Sequence, residues 1–412
     1  MSARGRTASQ LLRRWAALPI PGPVMQLIRR TARQIQAQLL PPAPPLARLR
    51  KGPLMVTGFL SEPLGLGRGA RLTIEALRQA GLQVRAHDIR PFLQGRDGGL
   101  ADQEGLGPGG VWLLHCNPPE AEAMLLRTPR ALWGERYLIG YWAWELPELP
   151  RSWARMARQY HEVWVPSRFV AEAVAPHARV VRVMPHPVAP EPDVLRTSET
   201  GHVHFAALAD GRSTFARKNP AGAVEAFKRA FPQPSPLARL TIKLLRPEAD
   251  PEGFQHLMDE AAGRPDIDVI VRDFTDAEMA AFLQQMDVVV SLHRAEGFGL
   301  VLAEALASGK AAVATAWSGN LDFMGGELSE TLVPCTLVPT DDPTGRYSGA
   351  VWADPDLDAA ASLIRRLAGS PELRRRLGRA GPAAIAALQA PWRAENLSRQ
   401  MLGQLDAQPV AP

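Results

Sequence analysis

The residues best placed to do chemistry lie in one run, Asp287 to Gly309. Apolar Val288–Leu292 reads as a strand, a loop carries Gly297, Phe298 and Gly299, and a helix starts near Leu300. Glycines let the backbone approach a ligand closely, and a helix start aims unpaired N–H groups and a positive dipole end at it. That makes an anion site suited to a phosphate, with His293 and Arg294 adding donors from the strand side. Glu296 and Glu304 stand with seven residues between them, one near the helix mouth and one behind it. Acids beside a phosphate are awkward unless they accept hydrogen bonds from hydroxyls, and sugars supply hydroxyls. Val301, Leu302, Ala305 and Leu306 make this a buried helix rather than a solvated one.

Other segments could join it. Gly211 to Pro220 is a basic turn holding Arg212, Arg217 and Lys218, placed between a strand and a helix. Ala314 to Phe323 follows a strand, and its Gly319 and Asn320 suit a turn that presents main-chain amides. Glu62 to Gly69 is glycine-rich (Gly65, Gly67, Gly69), but its spacing is not that of a dinucleotide site. His115 ends a strand, where a lone histidine is either structural or part of a site. Tyr141, Trp142 and Trp144 either stack on sugar rings or fill a core.

These segments need elements to position them. Strands are expected at 54–60, 82–87, 111–116, 137–142, 162–165 and 180–184, alternating with helices at 69–80, 119–127, 151–160 and 168–175. After the proline-rich 185–192 the rhythm restarts, with strands at 203–209, 239–245, 268–271, 288–292 and 311–315. Helices are then expected at 219–230, 252–262, 276–285, 299–308, 357–368 and 371–379. Alternating strands and helices imply parallel sheets covered on both faces, and two such units imply a cleft between them. The expected fold class is therefore α/β, with two doubly wound domains at 53–195 and 196–382. The segment 383–412 should complete the first domain, with a helix over about 383–404.

Composition narrows the class. The chain has 412 residues, 46% of them hydrophobic and 22% charged, as in a globular enzyme. No apolar stretch is long enough to cross a bilayer, no signal peptide is evident, and two cysteines cannot build a disulfide framework. The cytoplasm is the expected compartment. Residues 1–52 form a basic, proline-broken extension: 1–51 carry ten Lys or Arg and no Asp or Glu. Set against a net charge of +5, that leaves −5 on the rest. A mildly acidic body argues against nucleic acid as a partner. Trp15 and Leu residues beside the arginines suit an anionic membrane surface, making peripheral attachment one reading and a solvated extension the other.

Over about 54–370 the sequence resembles the retaining glycosyltransferases of family four, which have the GT-B fold. Glu296 and Glu304 stand as that family's Glu-x7-Glu, within Glu-Gly-Phe-Gly-Leu before the helix and Ala-Leu-Ala-Ser-Gly after it. The resemblance implies that Glu304 holds the ribose hydroxyls of a nucleotide-sugar and that Glu296 lies by the donor sugar. Arg212 and Lys218 match an Arg and Lys that clamp the diphosphate, with Arg217 a rival to Arg212. Gly319 and Asn320 would cradle phosphates and sugar, Gly65 and Gly67 would face the diphosphate across the cleft, and His115 would sit beside the reacting sugar. The segments around Trp317 and Trp352 resemble mannosyl-transferring, polysaccharide-assembly relatives, which favours GDP-mannose as donor.

The reaction implied is front-face transfer with retention, in which the cationic pair absorbs the leaving group's charge. No metal or other cofactor is expected. Asp266-Ile-Asp268, Asp354-Pro-Asp356 and Asp356-Leu-Asp358 have a metal-motif spacing, but none sits at a strand end beside a phosphate loop. The acceptor expected is a polyprenyl-linked oligosaccharide or a growing polysaccharide. The alternatives are an epimerase or phosphorylase of the same fold and a catalytically silent, membrane-recruited sugar-binding scaffold.

Overall fold

The computed structural model describes residues 40–406 apart from 64, 98, 100–105, 191–200, 343, 344, 346 and 348. The basic segment read in the sequence lies, up to residue 39, outside the described residues. Everything below concerns the body that follows it.

The first lobe is a six-stranded parallel sheet in the order β2-β1-β3-β4-β5-β6. Its strands are β1 (Leu54–Gly58), β2 (Val84–Asp88), β3 (Val111–His115), β4 (Tyr137–Tyr141), β5 (Glu162–Val165) and β6 (Val181–Val183). The central strands β1, β3, β4 and β5 are buried throughout, as expected when helices cover both faces. The second lobe is another six-stranded sheet, in the order β12-β11-β10-β7-β8-β9. It comprises β7 (Val203–Asp210), β8 (Ala238–Leu245), β9 (Ile267–Val271), β10 (Val288–Ser291), β11 (Ala311–Thr315) and β12 (Leu332–Val333). Each lobe has its own apolar core.

Most expected elements stand within a residue or two of their places; β5 and β11 match residue for residue. Several features differ, among them the added short strand β12 and the helix Phe215–Lys218. A short helix, Ile89–Leu93, follows β2 directly, capped by Asp88. An antiparallel hairpin of β13 (Cys335–Pro339) and β14 (Val351–Pro355) stands outside both sheets. The expected helix over 383–404 is not one helix. The helix Pro371–Ala387 runs through Pro382, held by close packing: a Cβ on Gly381 would come within 2.6 Å of the Leu306 carbonyl oxygen. Pro391 then helps break the chain into 3-10 turns and a last short helix, Arg399–Leu402.

This tail packs against the first lobe. Trp392 meets Trp164 edge-on at 5.9 Å and donates to the Pro185 carbonyl at 2.7 Å. Ser398 donates to Glu162, which is 1% exposed and also accepts from Tyr137 at 2.9 Å and Trp164 at 2.8 Å. Gly52 exchanges backbone hydrogen bonds with Gln404 and Asp406, both at 3.1 Å. Replacing Trp392 with Ala should cost about 3–5 kcal/mol, seen as a lower urea midpoint with an unchanged fold by circular dichroism.

Candidate active site

In doubly wound sheets, ligands bind beyond the strand carboxyl ends where the strand order reverses. In the second lobe that point lies between β7 and β10, and in the first between β1 and β3. β7 leads into Gly211–Ser213 and the helix Phe215–Lys218, and β10 into the loop with Glu296 and the helix Leu300–Ala307. β1 leads into the glycine-rich turn, and β3 ends at His115. Four of the sequence-selected segments therefore follow the strands at the two reversal points, while 314–323 and 141–144 follow the neighbouring strands β11 and β4.

The turn after β7 is wound tightly. Thr214 (φ 58°) and Asn219 (φ 53°) adopt left-handed backbone, which costs on the order of 1–3 kcal/mol per residue. Asn219 caps the next helix and donates to the Leu292 carbonyl at 2.9 Å, while Arg294 N–H donates to the Arg217 carbonyl at 2.8 Å. These bonds stitch the basic turn onto the loop after β10. Lys218 pairs directly with Glu296. Arg217 is buried, donating to the Ala295 carbonyl at 2.6 Å and lying 3.6 Å from Glu296. Both rival arginines reach acids of the first lobe: Arg217 lies 3.6 Å from Glu145, and half-exposed Arg212 lies 3.2 Å from Glu62. Burial alone would raise the Glu296 carboxyl, but Lys218, Arg217 and His293 overcome it and hold it down at about 2.

Glu304 faces the cleft from the second turn of its helix. Arg68, from the first-lobe helix Leu66–Gln79, donates to it at 3.0 Å and to Asp276 at 3.3 Å. Arg71, a turn further on, pairs with Asp276 at 2.7 Å and also donates to the Glu62 carbonyl at 2.6 Å. Burial raises the Glu304 carboxyl above its ordinary value despite Arg68. Glu62, on the turn before that helix, accepts from Arg212 at 3.2 and 3.3 Å and from Arg246 at 2.9 Å, and pairs with Arg90. Each lobe thus contributes a charged side chain that meets its opposite on the other.

His115 is fully buried at the floor, its ring stacked on Tyr141 at 4.0 Å. Tyr141 shares a 3.2 Å hydrogen bond with His186, which meets Phe298 edge-on at 5.1 Å. Burial, then His186, push the His115 imidazolium well below its usual pKa, so the ring is neutral near pH 7. A Cβ on Gly69 would stand 2.5 Å from the His186 ring, so glycine lets the helix start seat on this layer.

The glycines sit in distinct packing environments. Gly65 (φ 63°) faces open space, but Gly67 lies under the Phe59 and Glu62 carbonyls, where a Cβ would come within 2.5 and 2.4 Å. A Cβ on Gly297 would stand 2.7 Å from the Trp144 carbonyl oxygen, and the Gly297 carbonyl accepts from Ser167 at 2.6 Å. Gly297 is therefore a contact between lobes. Gly319 packs on the Gly297 carbonyl, and its N–H donates to Glu296 O at 3.0 Å. Gly299 (φ 91°) supplies the left-handed residue before Leu300, the first residue of the helix. Phe298 is buried.

Two further donors turn inward. The Asn320 side chain donates to the Thr315 carbonyl at 3.0 Å, and its oxygen lies 3.2 Å from His293 Nε2. Arg294 donates to the Ala216 carbonyl at 2.8 Å and lies 3.3 Å from Asp354, so it does not extend the phosphate mouth. Trp142 and Trp144 are buried and line no open surface. The Asp-x-Asp residues are engaged elsewhere: Asp266 with Arg264 at 2.8 Å, and Asp356 as a helix cap. Glu62, Arg68, Arg71, Arg246 and Asp276 were not singled out as site residues from sequence. Only the charged flank of the glycine-rich turn hinted at the first two.

Where the lobes meet, the arrangement offers cations, carboxylates able to bind hydroxyls, and a buried, neutral imidazole. A family model described as Family 4 Glycosyltransferase in conflict systems matches residues 166–388, more than half of the chain. The chain belongs to that family. It is a glycosyltransferase of the GT-B fold, and solved structures agree on the architecture. A glycosyltransferase from Rickettsia africae is similar with TM-score 0.57 and 12% identity, over 86% of this chain and 96% of that one. Anabaena HepE, solved in complex with UDP-glucose, is similar with TM-score 0.55 and 12% identity, over 85% and 98%. A variant of S. aureus TarM, solved with Fondaparinux, alpha-GlcNAc-glycerol and UDP, is similar with TM-score 0.52 and 13% identity over 72% of this chain. The chain spans 55% of that TarM chain. No curated protein matches the sequence.

Two outcomes follow from this packing. Glu296 has a folded pKa of about 2 against an ordinary 4.5. Its contribution to stability is complete above the ordinary value and is lost as pH falls toward the folded one. Urea midpoints measured across that range should fall less steeply for Glu296→Gln than for the parent. Gly297→Ala should force the lobes apart at Trp144, read as a larger radius of gyration by small-angle X-ray scattering.

Proposed function

We propose that the protein transfers a hexose from a nucleotide-sugar to a hydroxyl of a glycan or lipid-linked acceptor, with retention at the anomeric carbon. The observation that carries this reading is the meeting of Arg212, Lys218, Glu296 and Glu304 at one reversal point, faced by charged groups of the other lobe. In this reading Arg212 and Lys218 take the donor diphosphate, and Glu304 accepts hydrogen bonds from the ribose. Glu296, held ionised, and His115, held neutral, flank the sugar. As the glycosidic bond lengthens, negative charge builds on the phosphate oxygen, and the two cations stabilise it. That oxygen then takes the acceptor's proton on the face where the acceptor attacks. The reading calls for no metal, because the cationic pair fills that role.

GDP-mannose is the proposed donor, on the resemblance of the loop at 317–323, and UDP-glucose, present in the HepE complex, is the comparison to test. A polyprenyl-linked or polysaccharide acceptor at an anionic membrane surface is proposed from the basic residues of 1–51. Among the described residues no helix is long and apolar enough to cross a membrane.

Thermal shifts against a panel of GDP- and UDP-sugars should single out one base, since only a ligand of the folded state raises its melting temperature. With that donor, Lys218→Ala and Glu304→Ala should each lower kcat/KM by roughly a hundredfold or more. Unchanged transfer in both variants would sink the site assignment. A folded parent that binds a donor yet neither transfers nor hydrolyses it would instead favour a sugar-binding scaffold.

A further inference from the structure

Arg246 lies outside the basic turn but in the same charged cluster. It follows β8, the neighbour of β7, in a left-handed conformation at φ 48°. A side chain with a Cβ seldom takes that conformation unless its surroundings impose it. Here they do: a Cβ on Gly211 would stand 2.3 Å from the Arg246 carbonyl oxygen, so the two turns pack backbone to backbone. The contact sets Arg212 and Arg246 side by side. Asp210 fixes both, accepting from Arg246 at 2.7 Å and from the Arg212 N–H at 3.0 Å.

Both guanidinium groups then converge on one oxygen of the other lobe, Glu62 Oε2, at 3.2 and 2.9 Å. Arg90 reaches the same carboxylate from its own lobe. A point where planar cations from separate strand ends focus on a single acceptor oxygen is built for an anion with several oxygens. The Glu62 carboxylate has the charge and oxygen geometry of one such group. The Glu62 backbone is held in place by Arg71, which donates to the Glu62 and Pro63 carbonyls at 2.6 and 3.2 Å, so only the carboxylate arm need move.

We infer that Arg246 is a third cationic residue of the donor-diphosphate site, and that Glu62 holds the place of a phosphate in this conformation. This deepens the donor reading above and rests on it. For the donor to bind, the Glu62 side chain swings away, and the diphosphate takes over its bonds to Arg212 and Arg246. No covalent step is involved: one anion replaces another on the same donors.

The test is calorimetric titration of the full chain with UDP and GDP, and with uridine and guanosine as phosphate-free controls. Arg246→Ala should weaken diphosphate binding about tenfold or more while leaving the nucleoside controls unchanged. Glu62→Gln should strengthen diphosphate binding about tenfold, because a neutral amide competes poorly for two guanidinium groups. Equal diphosphate affinity for Arg246→Ala and the parent, with Lys218→Ala impaired, would overturn this inference and leave the donor reading standing. Equal affinity in both variants would overturn the donor reading itself. An unchanged or weaker diphosphate affinity in Glu62→Gln would refute the competing role of Glu62. If Arg246→Ala fails to fold by circular dichroism, Arg246→Gln decides on the same criteria.

Discussion

Charge balance where the two lobes meet governs this structure. Taking an ion out of water costs several kcal/mol unless an opposite charge and further hydrogen bonds compensate it. The walls here satisfy one another: Lys218 with Glu296, Arg68 with Glu304, Arg212 and Arg246 with Glu62, and Arg71 with Asp276. Three of these four sets join the two lobes, so the groups suited to a nucleotide-sugar also close the cleft. A donor brings phosphates for the cations and hydroxyls for the carboxylates, and so exchanges partners rather than filling a passive hollow. The barrier to that exchange is set by how well donor contacts match those they replace.

The local pieces of this arrangement were legible in the sequence. Glu296 and Glu304 could be read because a strand, a glycine loop and a helix follow in direct succession, which fixes where both carboxylates stand. Arg212 and Lys218 could be read for the same reason. Arg246 could not, since its role depends on a neighbouring strand end and on a backbone conformation that no composition signal announces. The pairing of Glu62 with Arg212 spans 150 residues, and that of Arg68 with Glu304 spans 236. Such contacts are set by how the lobes meet, and nothing in either segment alone encodes it. Glycine was the least readable residue type. Gly297 was read in a phosphate-binding loop and Gly319 in a turn presenting amides, and their missing side chains also make room for the Trp144 carbonyl and for each other.

Burial divides the polar groups of the cleft into two kinds. Glu296 is kept ionised by Lys218, Arg217 and His293, whereas His115 is kept neutral by its apolar surroundings. The layer of His115, Tyr141 and His186 extends from the first-lobe sheet to Phe298 of the second. His186 belongs to the segment that leaves the first lobe, so that segment takes part in the floor and does more than connect. The aromatic residues at the end of β4 were open to two readings in the sequence. They are buried: Tyr141 stacks on His115, and Trp144 lies against Gly297 where the lobes touch.

The tail that crosses back from the second lobe has a bearing on biosynthesis. Trp164 and the Glu162 carboxylate gain their cover from residues 392 and 398, more than two hundred positions later in the chain. As the polypeptide emerges from the ribosome, the half made first lacks this cover until the half made second has been translated. Maturation of the amino-terminal lobe is thereby deferred until those later residues have been made.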